Sequence, residues 1–169
     1  WRGGGIYVYA SNPVMLNNVI CNNFCYSTGG GVYLHSSYPD FSNNTIVNNL
    51  TNEWGGGLYI YDCDPEICNT IMWGNGGSPG EDEFYTINDQ IVYNCVIENG
   101  VDGIGPWNRN DDELEIYNLV QNNPDCIDPT EGPGTSFNGM AANWSITDLS
   151  PAINNGTDSV DIDFLSLDI

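Results

Sequence analysis

Along the first half of the chain, short runs alternate aliphatic with polar or aromatic residues and are broken by Gly, Pro and Asn. Ile6-Tyr7-Val8-Tyr9, Val32-Tyr33-Leu34-His35 and Leu58-Tyr59-Ile60-Tyr61 share one pattern. A period of two is that of a β-strand and places the aliphatic set on one face and the aromatic set on the other. Each run follows three glycines, at 3–5, 29–31 and 55–57, so the unit is 26 residues long. Within each unit come a proline (Pro13, Pro39, Pro65), an Asn-containing apolar run (Asn17-Asn18-Val19-Ile20, Asn43-Asn44-Thr45-Ile46, Asn69-Thr70-Ile71-Met72) and a closing asparagine (Asn23, Asn49, Asn75).

Strands this short do not fold alone. Stacked in parallel at roughly 4.8 Å per coil, they share one continuous core. Crossovers between parallel strands favour the right-handed sense. The repeat therefore predicts an all-β chain, a right-handed single-stranded parallel β-helix. Successive glycines permit a sharp corner, asparagine tolerates the left-handed conformation, and Asn23, Asn49 and Asn75, stacked at one corner, can form a hydrogen-bonded ladder.

The period degrades after the third unit. Asp89 to Asn99 resembles the end of a coil but lacks the glycine lead-in, and the segment from Gly76 to Glu83 has loop composition. Beyond Gly100 the sequence becomes acidic and rich in Pro and Gly. The organisation expected is one domain, with β-helix coils over 1–100 and an irregular acidic C-terminal cap over 101–169, since end units of a solenoid must cover an open apolar end. The opening Trp1-Arg2-Gly3 reads as the middle of a repeat, so further coils are expected upstream.

Charge narrows the partners. The chain carries 23 acidic residues against two arginines and no lysine, a formal net charge of −21. Such a surface repels phosphates and anionic lipid, which argues against nucleic acid and against a membrane surface. No apolar stretch approaches the ~18 residues of a membrane span. Divalent cations are attracted, so Ca2+ is considered at Asp111, Asp112 and Glu113 and at Glu81, Asp82 and Glu83; a solvated acidic loop is the competing reading. The six cysteines contain no C-x-x-C pair. Cys63 and Cys68 flank a turn-like Asp64-Pro65-Glu66 and are the disulfide candidate, with buried free thiols as the alternative.

Four strings carry a family resemblance. The Gly-Gly-Gly-Ile-Tyr lead-in, Ile71-Met72-Trp73-Gly74-Asn75, Asn123-Pro124-Asp125-Cys126-Ile127-Asp128-Pro129 and Ser150-Pro151-Ala152-Ile153-Asn154-Asn155-Gly156 occur in this order over nearly the whole chain. The set resembles the bacterial pectin-lyase-like β-helix proteins of the choice-of-anchor Q group. The resemblance implies a secreted or cell-surface bacterial protein, part of a longer chain with adjoining domains. Asp125 and Cys126 depart from the apolar pair of that family's motif.

Two functional classes follow. One is a non-catalytic scaffold or adhesin-like module, or a plain stalk. The aromatic positions Tyr7, Tyr33 and Tyr59, and Tyr9, His35 and Tyr61, would form two rows on one outer face, where they either stack on sugars at a glycan or cell surface or stabilise the sheet by cross-strand packing. The other class is a polysaccharide lyase or hydrolase on the same fold. Uronate lyases need a base and a cationic clamp for the carboxylate, and this chain offers only Arg2 and Arg109. Its one Asp-Asp pair, Asp111-Asp112, lies in the aperiodic tail. No catalytic residue is assigned.

Overall fold

The computed structural model describes residues 1–77, 83–87, 90–105 and 114–153. These form a β-solenoid of parallel sheets with one short 3-10 turn at Gly100–Gly103. The first coil contains β1 (Ile6–Tyr9), β2 (Val14–Leu16), β3 (Val19–Cys21) and β4 (Phe24–Cys25). The second repeats them as β5 (Val32–His35), β6 (Asp40–Ser42), β7 (Thr45–Val47) and β8 (Leu50–Thr51), and the third as β9 (Leu58–Tyr61), β10 (Glu66–Cys68) and β11 (Ile71–Trp73). The fourth supplies β12 (Phe84–Thr86), β13 (Gln90–Tyr93) and β14 (Val96–Ile97). Stacking gives a first sheet β1-β5-β9-β12 and a second β2-β6-β10-β13, each with a fifth strand described below, and a third sheet β3-β7-β11-β14. The register is in step with the repeat: Ile6 pairs with Val32 and Val32 with Leu58.

Each sheet contributes a column to the core. Val32, Leu34, Leu58, Ile60 and Phe84 point in from the first sheet, Met15, Phe41, Ile67 and Val92 from the second, and Ile20, Ile46, Met72 and Ile97 from the third, all buried. Like residues stacked one coil apart bury the shared faces that no single coil could cover. Among the described residues no helix is long and apolar enough to cross a membrane.

The corners divide their labour between neighbouring residues. Asn17, Asn43 and Asn69, and likewise Asn22 and Asn48, adopt the left-handed conformation with φ between 48° and 57°. The residue after each builds the ladder. Asn23 donates from both its backbone N–H and Nδ2 to Asn49 Oδ1 (3.0 and 2.9 Å), and Asn49 donates in the same way to Asn75 Oδ1 (2.9 and 2.9 Å). A second ladder runs from Asn18 to Asn44, whose own N–H reaches Thr70. The third glycine of each unit makes room for this: a Cβ on Gly31 would lie 2.9 Å from Asn49 Nδ2.

Glu83 ends the ladder. It stands 26 residues after Gly57, and its backbone carbonyl accepts from Leu58 as Gly57's accepts from Val32. Its side chain fills the place of the next asparagine, with Oε1 accepting from Asn75 N (3.0 Å) and Oε2 from Asn75 Nδ2 (2.5 Å). Burial, with the Glu98 carboxyl alongside, raises its pKa well above the ordinary carboxyl value, while the Asn75 donors pull the other way. A carboxyl with a raised folded pKa stabilises fully below its unfolded pKa and loses that contribution as pH rises through the folded one. Thermal melts between about pH 5 and about pH 8 should therefore show falling stability with rising pH, and Glu83→Gln, which stays neutral, should flatten that slope. An unchanged slope in the variant would place the pH dependence elsewhere.

Part of the tail continues the stack. Residues beyond Gly100 first add a fifth layer: β15 (Ile104–Gly105) pairs with β12, β16 (Leu114–Tyr117) pairs with β13, and Val120 bridges to Val96. The chain then turns back along the outside of the third sheet, where β17 (Cys126–Asp128) and β18 (Asn143–Ile146) pair antiparallel. Asn48 Nδ2 donates to Thr130 Oγ1 (2.8 Å), Asn22 Nδ2 to Gly132 O (3.0 Å), and Gly134 N to Asn48 O (2.8 Å). The segment is thus a lateral strap over the first two coils as well as a continuation of the stack.

All six cysteines are free thiols, so the Cys63–Cys68 bridge expected from the sequence is not made. Alternation separates the two. Cys63 packs in the core with its Sγ directed at Tyr61 O (3.4 Å), whereas Cys68 follows the core residue Ile67, turns away from the core and lines a cleft beside the second sheet. Cys95 is a core residue whose thiol burial pushes up to about 12.

Candidate functional site: the aromatic face of the first sheet

Strand alternation sends one set of side chains from β1, β5, β9 and β12 outward, and the 26-residue register lines up like with like. Tyr7, Tyr33, Tyr59 and Tyr85 stack with ring centroids 5.1–5.3 Å apart and planes within 12° of parallel. Rings stacked along the solenoid axis cover one another's faces. Tyr33, Tyr59 and Tyr85 are buried, with Trp54 packed against them and tilted over Tyr85 at 5.9 Å. The Arg2 guanidinium lies 5.3 Å from the Tyr33 ring centre, a cation–π contact that covers the ring further. Desolvation raises the Tyr33 phenol to about 12 against the pull of Arg2, and raises Tyr59 as well. Of this row Tyr7 alone is well exposed. The row has the geometry of cross-strand packing, and the faces of its inner rings are closed to a sugar.

The second row is different. Tyr9 is 57% and Tyr61 41% exposed, and His35 stands edge-on between them with centroid distances of 4.9 and 5.0 Å. His35 also meets Tyr33 edge-on at 6.2 Å. With Tyr7, these residues form a half-exposed aromatic strip held on a rigid parallel sheet. Sequence reading found both rows and missed Tyr85 and Trp54. Tyr85 was within reach, since it lies 26 residues after Tyr59; Trp54 has no repeat partner to reveal it.

The calcium candidates Asp111, Asp112, Glu113, Glu81 and Asp82 lie outside the described residues. Glu83 is placed in the Asn ladder, with both side-chain oxygens accepting from Asn75. Among the described residues no group of three or more His, Cys, Asp and Glu side chains is placed to hold a metal ion. Beside the second sheet a cleft of about 260 Å³ is lined by Tyr38, Asp40, Asp64, Glu66, Cys68 and Tyr93. Comparison with family models, curated proteins and solved structures finds no match to this chain.

Proposed function

We propose that this chain is a non-catalytic β-helix module, displayed outside the cell as part of a longer bacterial protein of the pectin-lyase-like, choice-of-anchor Q kind, and that it makes surface contacts with glycans or a cell surface. The observation that carries this reading is the exposed strip of Tyr7, Tyr9, His35 and Tyr61, set at coil spacing on a rigid sheet. Aromatic rings with a polar tip suit surfaces that are apolar on one side and hydroxylated on the other. The acidic surface favours neutral glycans over anionic ones.

The test is a glycan array and a whole-cell binding assay with the full chain. Neutral glycans should bind, and the Tyr9→Ala/Tyr61→Ala double variant should lose about tenfold in affinity, equivalent to about 1.4 kcal/mol. Blank arrays and blank cells would reduce the module to a stalk. Release of reducing or unsaturated sugars from a uronate polymer would make it an enzyme and overturn the proposal.

A further inference from the structure

The strap creates a second place where aromatic and polar groups meet. On the third sheet Val47 and Trp73 share one outward column, while Ile46 and Met72 turn into the core. The C-terminal segment passes over this column and leaves a cleft of about 260 Å³ between itself and the sheet. Trp73 forms part of one wall and Trp144 of β18 part of the other, with Pro124, Asn123 and Asp125 at the strap side.

The strap side of the cleft is braced by hydrogen bonds within the C-terminal segment that do not engage the Asp125 carboxylate or Asn123 Nδ2. Trp144 Nε1 donates to Gly139 O (3.1 Å), which fixes the indole. Thr147 N donates to Asp125 O (2.9 Å), and Ser150 Oγ to Pro124 O (2.6 Å), so the strap is tied to itself beside the cleft. Asp125 N donates to Asn123 Oδ1 (2.8 Å), setting a tight turn with Asp125 at φ 52° and exposed.

We propose that this cleft binds one neutral pyranose ring. Indole faces match the C–H face of a sugar, and a carboxylate beside a primary amide matches a pair of adjacent hydroxyls. The size agrees: about 260 Å³ falls just below the ~300–1,000 Å³ of sites for drug-sized ligands, which suits a single ring and not a chain. The charge selects further. The lining holds the Asp125 carboxylate and no basic side chain, on a chain of net charge −21. Uronates, sialylated and sulfated sugars are therefore repelled, and uncharged hexosides are accepted.

This site is separate from the aromatic strip of the first sheet and stands without it. The experiment is saturation-transfer NMR and titration of the full chain with methyl glycosides of glucose, galactose, mannose and N-acetylglucosamine, alongside glucuronate and galacturonate. At least one neutral glycoside should bind, and the uronates should not. Trp73→Ala should weaken that binding at least tenfold. Asp125→Asn changes an exposed group and keeps a residue type that tolerates positive φ, so it tests the site without threatening the fold; it should weaken binding several-fold. Tyr9→Ala/Tyr61→Ala should leave this binding unchanged. The proposal is overturned if no neutral glycoside binds, if uronates bind better, or if the strip variant abolishes binding while Asp125→Asn leaves it intact.

Discussion

Gly30→Ala is expected to abolish folding of the solenoid. A Cβ at this position would run into the carbonyl oxygen of Gly56 and lie 2.7 Å from the carbonyl carbon and oxygen of Leu50. Both obstacles are backbone in coils that are themselves pinned, since Gly30 N bonds to Gly55 O at 3.0 Å and the core on either side is buried. Relief requires prying apart the second and third coils. That damage belongs to the rare class that exceeds about 4–5 kcal/mol, a large part of the about 5–15 kcal/mol by which a domain is stable. Gly76→Ala is the control: its Cβ meets only the end of the Leu50 side chain, at 3.0 Å, which can swing aside. Circular dichroism melts should give an unfolded or aggregated Gly30→Ala and a cooperative transition for Gly76→Ala. A folded Gly30→Ala with near-native melting would mean the coils are far less tightly nested than described.

The second large effect is expected at Asn49. Its side chain is fully buried and makes four hydrogen bonds, accepting from Asn23 N and Asn23 Nδ2 and donating to Ile20 O and Asn75 Oδ1. Asn49→Ala removes all four and strands at least the Asn23 N–H. At about 0.5–1.5 kcal/mol net for each of the four hydrogen bonds removed, the loss should be about 2–6 kcal/mol. Asn18→Ala, at the half-exposed rim of the parallel ladder, removes bonds that water can replace and should cost about 1 kcal/mol. Urea titration of the two variants measures the difference. Equal, small losses would show that the ladder contributes little beyond the core.

The repeat made much of this legible. A 26-residue spacing of Gly, Pro and Asn fixes which residue sits above which, so the pairing of Tyr7 with Tyr33 and the Asn23–Asn49–Asn75 ladder could be read before any fold was seen. The roles of the paired asparagines could not. In Asn22-Asn23 and Asn48-Asn49 the first residue takes the left-handed turn and the second the ladder, and composition does not tell them apart. Glu83 likewise reads as one more acid in an acidic loop; only the coil register reveals that it occupies a ladder site.

The candidate sites divide along the same line. Period two placed both aromatic rows on the outer face, but not their exposure. Ring stacking along the axis, with Trp54 and Arg2 laid across it, closes the row of Tyr33 and Tyr59 and leaves Tyr9 and Tyr61 open. The cleft beside Trp73 was out of reach, because it is made by contacts such as Asn22 to Gly132, 110 residues apart. By itself, then, the sequence determined what repeats: the strands, their register and the stacked core, since a local period propagates through neighbouring coils. The tertiary structure decided what does not repeat, namely the fifth layer, the strap, the free thiols and the burial of one tyrosine row. These depend on long-range packing and on side chains bonding to backbone carbonyls, which any residue supplies and no sequence pattern marks.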